Sequence, residues 1–538
     1  MKKIYLILLL VLVSFASCEL GGGFLDEDPK GYLFPENFYN NEEELKMANN
    51  ALYSHWVDAL NRPYESMEIK YASADDILGT GNQRQCYNEI EINLENSVGI
   101  DADISKGWER CYDVINIANS IVLNHRRAEG KVTEETLNRY AAQAHFIRAY
   151  MYFWLVRFYN NIPLIETAFQ PDDNKTVRCS KASEVYDLIV RDLKFAEEYL
   201  PIDWKDFDNT LRTGGAITKG AAKSTLSKVY LQMAGFPING GNEYYALARD
   251  KAKEVIDNAG TYGYELRNHF YQVWDPYWKP YSFATDEVII WTAQSLINDE
   301  YSVRAPNPCR PIEFGGWESM IAEKGFYERF PEGERKEYTF VTDFYKGGEH
   351  YNYMDLKCQH PAYRKMWADN LTEGWEWETR NEPNSKWRTN MEASANWYST
   401  RSTIIMRYAD ILLTYAEAKA RTDGPDALAY KCLNDVRNRA FEGVGAIGAS
   451  LNDLSTDDFI DAVVWERAYE FAGFEHSSRW FDLQRLELVE KANTEWRNET
   501  EDKYKLVRPY SKKDYFLPIP SNELILNPGL ADNNAEFN

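Results

Sequence analysis

The chain runs to 538 residues and carries 84 acidic against 60 basic side chains, a formal net charge of −24. A surface this acidic repels phosphate backbones, which excludes nucleic acid as a natural partner. The length exceeds what one compact core normally uses, so an extended or two-part architecture is expected.

Lys2 and Lys3 open the chain, an apolar run follows from Ile4 to Val13, and Ser14, Phe15, Ala16 and Ser17 lead to Cys18. The run is too short to span a bilayer and reads as a secretory signal over residues 1–17. A cysteine placed directly after small residues resembles a bacterial lipoprotein cleavage site, which makes Cys18 the first mature residue and the bearer of lipid. Buried acyl chains contribute about 0.8 kcal/mol per CH2, so several on one cysteine hold a soluble body at a membrane surface. Phe15 departs from the aliphatic residue more usual there. Losing Lys2 and Lys3 takes the charge from −24 to −26. No later apolar stretch reaches membrane-spanning length, so this lipid is the only expected anchor.

Residues 18–40 form a tether and N-terminal segment, with a flexible glycine stretch from Leu20 to Gly23. From 41 to 267 the pattern is mainly helical. Leu137, Tyr140, Ala144, Ile147, Met151, Trp154 and Phe158 recur every three to four residues and predict a helix over 134–159. Thr133 is its expected N-cap, and Asn160-Asn161-Ile162-Pro163 its stop. Further helices are predicted over 183–200, 219–234 and 243–258, then over 404–421 and 427–440. Pairs of this length, with alanines at close-packing positions, point to tetratricopeptide-like stacking. Between the two helical blocks, over 268–401, helical periodicity is lost. A short strand is predicted over 287–293, and the rest reads as an irregular, loop-rich, aromatic subdomain. Residues 402–538 form the second helical block and tail.

Beyond Cys18, the six cysteines Cys86, Cys111, Cys179, Cys309, Cys358 and Cys432 are scattered and form no CxxC pair. This is unlike a disulfide scaffold, although one or two bridges stay open. Cys358 and His360, with His350 upstream, fit no common zinc spacing. No EF-hand spacing supports calcium, so no cofactor is expected. The segment Gly215 to Ser224 nearly spells a phosphate loop, but Ala221 stands where lysine must follow Gly220.

Several separate segments, taken in order, are similar to the SusD/RagB family of outer-membrane nutrient-binding lipoproteins found in Bacteroidota. They are Phe24-Leu25-Asp26-Glu27-Asp28-Pro29, then Ala144-His145-Phe146-Ile147-Arg148-Ala149-Tyr150, then Ala216-Ile217-Thr218-Lys219-Gly220. The block from Arg407 to Ala418 follows, then Glu466-Arg467, Glu470-Phe471 and Arg479-Trp480-Phe481-Asp482-Leu483-Gln484-Arg485. Leu517-Pro518-Ile519-Pro520 and Asn527-Pro528-Gly529-Leu530 close the series. Glu475-His476-Ser477-Ser478 and Asn533-Asn534 depart from the family pattern. The resemblance implies a mainly α, tetratricopeptide-like scaffold with a loop-rich part packed on it. It further implies a lid on a SusC-like TonB-dependent transporter, at the cell surface, that captures a glycan or, in some members, a peptide.

A sugar ring offers an apolar face to aromatic rings and a hydroxylated edge to Asp, Asn and Arg. Nine of the 16 Trp fall between Trp274 and Trp397. The candidate ligand residues there are Trp274, Tyr277, Trp278, Tyr281, Trp317, Trp375 and Trp377. An early loop over 73–96 adds Asp75, Arg84, Tyr87 and Asn88, which the family often uses. Core packing for the Trp residues, and helix capping for the loop residues, are the competing roles. A glycoside hydrolase needs a placed carboxylate pair, which abundance of acids does not supply. A scaffold that binds only protein is the other alternative, and no enzymatic activity is expected.

Overall fold

The computed structural model describes residues 38–60, 66–82, 84–94, 98–167, 177–204, 215–274, 286–292, 306–346, 349–366, 403–441, 448–476, 479–497, 502–531 and 533–537. The described α-helices longer than six residues are α1 (Glu42–Leu60), α2 (Gln85–Glu91), α3 (Val98–Asn124), α4 (Glu134–Tyr159), α5 (Ala182–Tyr199), α6 (Lys219–Ala234), α7 (Gly241–Asp257), α8 (Tyr408–Asp423), α9 (Ala427–Phe441), α10 (Thr456–Glu470) and α11 (Arg479–Arg485). Each long helix packs on the next: α1 on α3, α3 on α4, α4 on α5, α5 on α6, α6 on α7, and α8 on α9 and α10. Helix α8 also lies directly against α7, so the two helical blocks form one continuous stack, although about 150 residues separate them in sequence. Helix α4 is buried on nearly every side, which explains why its apolar residues extend beyond a single stripe. Thr133 caps it, its hydroxyl accepting from the Thr136 amide.

The strands are short and pair two by two: β1 (Ile77–Gly79) with β5 (Met320–Ala322), β2 (Ile162–Pro163) with β3 (Cys179–Ser180), β4 (Val288–Thr292) with β10 (Thr403–Arg407), β6 (Phe340–Val341) with β9 (Ala362–Tyr363), and β7 (Asp343–Lys346) with β8 (Glu349–Asn352), all antiparallel. The helix expected over 404–421 therefore starts later, at Tyr408. Ile404, Ile405 and Met406 are spent on a strand, buried at 3–5% exposure and paired with β4. Two β-branched residues in a buried run suit a strand as well as a helix, and the β4 partner decides. Between 268 and 366 no described helix exceeds six residues. The six cysteines Cys86, Cys111, Cys179, Cys309, Cys358 and Cys432 are all free thiols.

The interior where these parts meet is charged. Arg407 Nη1 donates to Glu287 Oε1 at 2.8 Å and to Glu470 Oε1 at 2.6 Å, and its Nε donates to Glu475 Oε2 at 2.9 Å. Arg439 shares Glu287 and Glu470, Arg335 joins Glu470 to Glu466, and Lys365 holds Glu475. A second network links Lys228 and Arg467 to Asp410, Arg467 to Asp482, and Arg485 to Asp482 and Glu417. Near the other end of the stack, Arg148 donates to Asp192 at 2.7 Å and His145 Nδ1 lies 2.7 Å from the same carboxylate. The residues that carry the family resemblance are thus largely those that clamp helices together.

Candidate functional site

Strand β1 hydrogen bonds with β5 in the register Ile77↔Ala322, Leu78↔Ile321, Gly79↔Met320. That pairing carries the early loop onto the segment that holds Trp317. The Thr80 amide donates to the Ser319 carbonyl at 2.9 Å, Ser319 Oγ donates to the Asn82 carbonyl at 2.6 Å, and Asn82 Nδ2 donates to Glu318 Oε1 at 2.7 Å. A glycine lets each of the two segments fold tightly on itself. A Cβ on Gly79 would lie 2.3 Å from the Tyr87 carbonyl oxygen, and one on Gly316 would lie 2.0 Å from that of Arg310.

Arg84 and Trp317 are both half-buried, and Trp317 packs one side against the main core. Asp103 accepts from the Arg84 guanidinium, which sits 5.9 Å from the Tyr87 ring centroid. Glu318 lies beneath, 2% exposed, and also receives the Ile312 amide at 3.3 Å. Burial pushes its carboxyl above the usual range, and Glu313 next to it adds to the effect. The β1–β5 pairing thus brings the Asn82 amide to the segment that carries Trp317, with Glu318 fixing that amide from below.

The other described candidates have different work. Asp75 is 0% exposed, with Arg479 Nε donating to its Oδ1 at 2.8 Å and Arg329 near its Oδ2, so it is an interior ion-pair partner. Tyr87 is also 0% exposed and lies under Arg84. Asn88 is 8% exposed and its amide donates to the Gly79 and Lys503 carbonyls, which braces the loop. Trp274 is 1% exposed, packed with Phe270, Tyr338 and Ile404, with Lys365 Nζ 5.0 Å from its ring. Core packing is the role the structure gives it. Cys18, Tyr277, Trp278, Tyr281, Trp375 and Trp377 lie outside the described residues.

Asn82 and Glu318 were not legible as a pair, because 236 residues separate them. The Gly315-Gly316 dipeptide before Trp317 was the available signal, since such dipeptides mark turns whose neighbours reach the surface. Among the described residues no cluster of three or more His, Cys, Asp or Glu could hold a metal ion. His350 Nε2 is bonded to Asp343 and His360 Nδ1 to the Ala322 carbonyl. No helix of the described residues is long and apolar enough to cross a membrane.

Known proteins share this architecture over nearly its whole length. A SusD superfamily protein from Parabacteroides distasonis superposes with a TM-score of 0.72 at 22% identity, covering 91% of this chain and 98% of that one. A SusD homolog from Bacteroides thetaiotaomicron gives 0.72 at 22%, covering 92% and 97%. Another solved structure, with xylogluco-oligosaccharide, gives 0.66 at 21% and covers 90% and 97%. In sequence, SusD-like protein P2 of Formosa agariphila is 26% identical over 556 residues, covering 100% of both chains. A SusD-like protein of Bacteroides ovatus is 25% identical, covering 98% of this chain and 97% of that one. Residues 23–231 match a family described as "Starch-binding associating with outer membrane". Residues 253–536 match the SusD family, and with more than half its length in that match the chain belongs to the SusD family.

Proposed function

We propose that the protein is a lipid-anchored receptor of the outer membrane, facing the cell exterior, that captures a glycan and delivers it unaltered to a SusC-like TonB-dependent transporter. What supports this most is the SusD-family membership, with a similar structure solved with xylogluco-oligosaccharide; Trp317, Asn82 and Arg84, on the two segments that β1 and β5 pair, are the candidate contacts. The ring covers the apolar face of a sugar, while the guanidinium and amide bond hydroxyls at its border. The family description adds association with the outer membrane. The glycan class is read from the cargo that binds.

The test is retardation of residues 19–538 in native gels cast with a panel of polysaccharides. One glycan is expected to retard the chain, and Trp317→Ala and Arg84→Ala are each expected to weaken that binding roughly tenfold, or about 1.4 kcal/mol. Retardation by no glycan, from a folded sample, overturns glycan capture in favour of peptide cargo. Retardation that neither variant changes moves the site elsewhere on the same protein.

The anchor has its own test. Cys18→Ala is expected to abolish incorporation of labelled fatty acid and to move the protein out of the membrane fraction. Full incorporation in the variant would exclude Cys18 as the lipidated residue.

A further inference from the structure

A groove of about 300 Å3 opens along α3, where that helix meets the β2 segment and the C-terminal tail. Its apolar lining comes from Trp108, Tyr112, Ile115, Ile165, Leu526 and Leu530. The two rings stack with centroids 4.9 Å apart. The polar atoms of the floor are already bonded inward. Tyr112 Oη donates to the Pro163 carbonyl at 2.8 Å, and Asn119 Nδ2 to those of Ile165 and Thr167 at 2.9 and 3.1 Å. Asn527 closes one end, its amide donating to the Val177 carbonyl at 2.6 Å. A short helix, α12 (Ser521–Leu526), forms the opposite lip and is fixed to α3 where the Ser521 amide donates to Asp101 at 2.7 Å.

The rim is acidic. Glu109, Asp113 and Glu523 border the groove; among the described residues none of them forms an ion pair, although His55 acts on Asp113 and offsets part of the effect of its burial. Burial against the apolar wall raises Glu523, with Glu109 adding to it, and burial likewise raises Asp113. A carboxylate against an apolar wall is stabilised by an incoming cation. Leu526 in the lining and its neighbour Ile525 are 67% and 75% exposed. Exposed aliphatic residues beside an apolar groove mark an interaction surface more often than chance placement.

We propose that this groove is a docking site for a partner polypeptide segment that presents an arginine or lysine beside an apolar side chain. The apolar side chain fills the Trp108–Leu530 trough, and the cation lies between Glu109, Asp113 and Glu523. Charge complementarity selects this occupant: an acidic segment is repelled, and a neutral one leaves three carboxylates desolvated without compensation. The groove shares no lining residue with the Trp317 segment, so glycan capture and this contact are separable.

The test is calorimetric titration of residues 19–538 with acetyl-Leu-Arg-Leu-amide, and with its citrulline and glutamate counterparts. The arginine peptide is expected to bind with a Kd on the order of 1 mM, the range for one or two side-chain contacts. Raising the salt weakens it. The double variant Glu109→Gln/Glu523→Gln is expected to weaken binding at least tenfold without moving the melting temperature, and Leu526→Ser is expected to weaken it as well. Equal binding of all three peptides overturns the charge argument. No heat with the arginine peptide, or full binding by both variants, overturns the site.

Discussion

Arg407→Leu is expected to leave the chain unable to reach a stable native state. The side chain is 0% exposed and meets Glu287, Glu470 and Glu475 at once, while its Nη2 also donates to the Glu470 carbonyl at 3.0 Å. It sits at the end of β10, where the loop-rich region rejoins the helical stack, and its partners come from two other, distant segments. Glu287 precedes β4, Glu470 ends α10 and Glu475 follows it. Taking out one cation from a buried, balanced group leaves an uncompensated carboxylate in low dielectric, which costs about 3–5 kcal/mol. That is a large part of the stability of most domains. Arg407→Leu/Glu287→Leu removes one charge of each sign and is expected to recover part of the loss, because a neutralised pair is cheaper to bury than a broken one. Urea unfolding of the wild type and both variants measures this. A single variant within about 1 kcal/mol of the wild type would mean the network is not closed to water.

The same residues explain what was legible in the sequence. Helices α4 and α6 have the predicted bounds, 134–159 and 219–234, because their apolar periods and their Thr133 and Thr218 caps are local properties. The motifs Glu466-Arg467, Glu470 and Arg479 to Arg485 could be recognised without revealing their task, since their partners lie far off. Arg479 meets Asp75 across 404 residues, and Asp76 Oδ2 receives the Gly473 amide across 397. For that reason Ser73-Ala74-Asp75-Asp76 reads in the sequence as the start of the candidate ligand loop over 73–96. It is a clamp. Trp274 is a similar case: its neighbours Tyr338 and Ile404 are distant, so no spacing could place it in a core. Trp317 lies between the two cases, half-buried after a glycine turn and packed on one side against the core. Family motifs fix the scaffold here, and specificity is left to loops that the motifs do not include.

The pH dependence of stability is expected to peak near pH 5, with Glu68 setting the alkaline side. Glu68 is buried beside Tyr71 with no ion pair to a lysine or arginine among the described residues, and burial pushes its carboxyl up to about 8. The nearest ring, His476, is no remedy. It lies 3.9 Å from Glu68, packs on Trp154, and burial together with Arg157 lowers it to about 3, so it stays neutral. Asp76 behaves alike, raised to about 7 by burial and by Asp75. An unfolded glutamate titrates near 4.3, so the folded chain holds a proton at Glu68 that the unfolded chain has lost. The contribution is complete below that value and disappears as pH rises through the folded one. The swing between about pH 5 and pH 8 is on the order of 3–5 kcal/mol for Glu68. On the acid side the sign reverses. Burial alone would raise Glu417, but Arg485 and Arg421 hold it at about 2, and Asp482 is held lower still by Arg467 and Arg485 against the same burial. These carboxylates stabilise the fold above about pH 5 and lose that contribution as the pH falls toward 2. Glu68→Gln separates the two limbs. It should raise the melting temperature markedly at pH 8, change it little at pH 4.5, and leave the acid limb in place. The same shift at both pH values would show that Glu68 is ionised in the native state and that the alkaline limb has another origin.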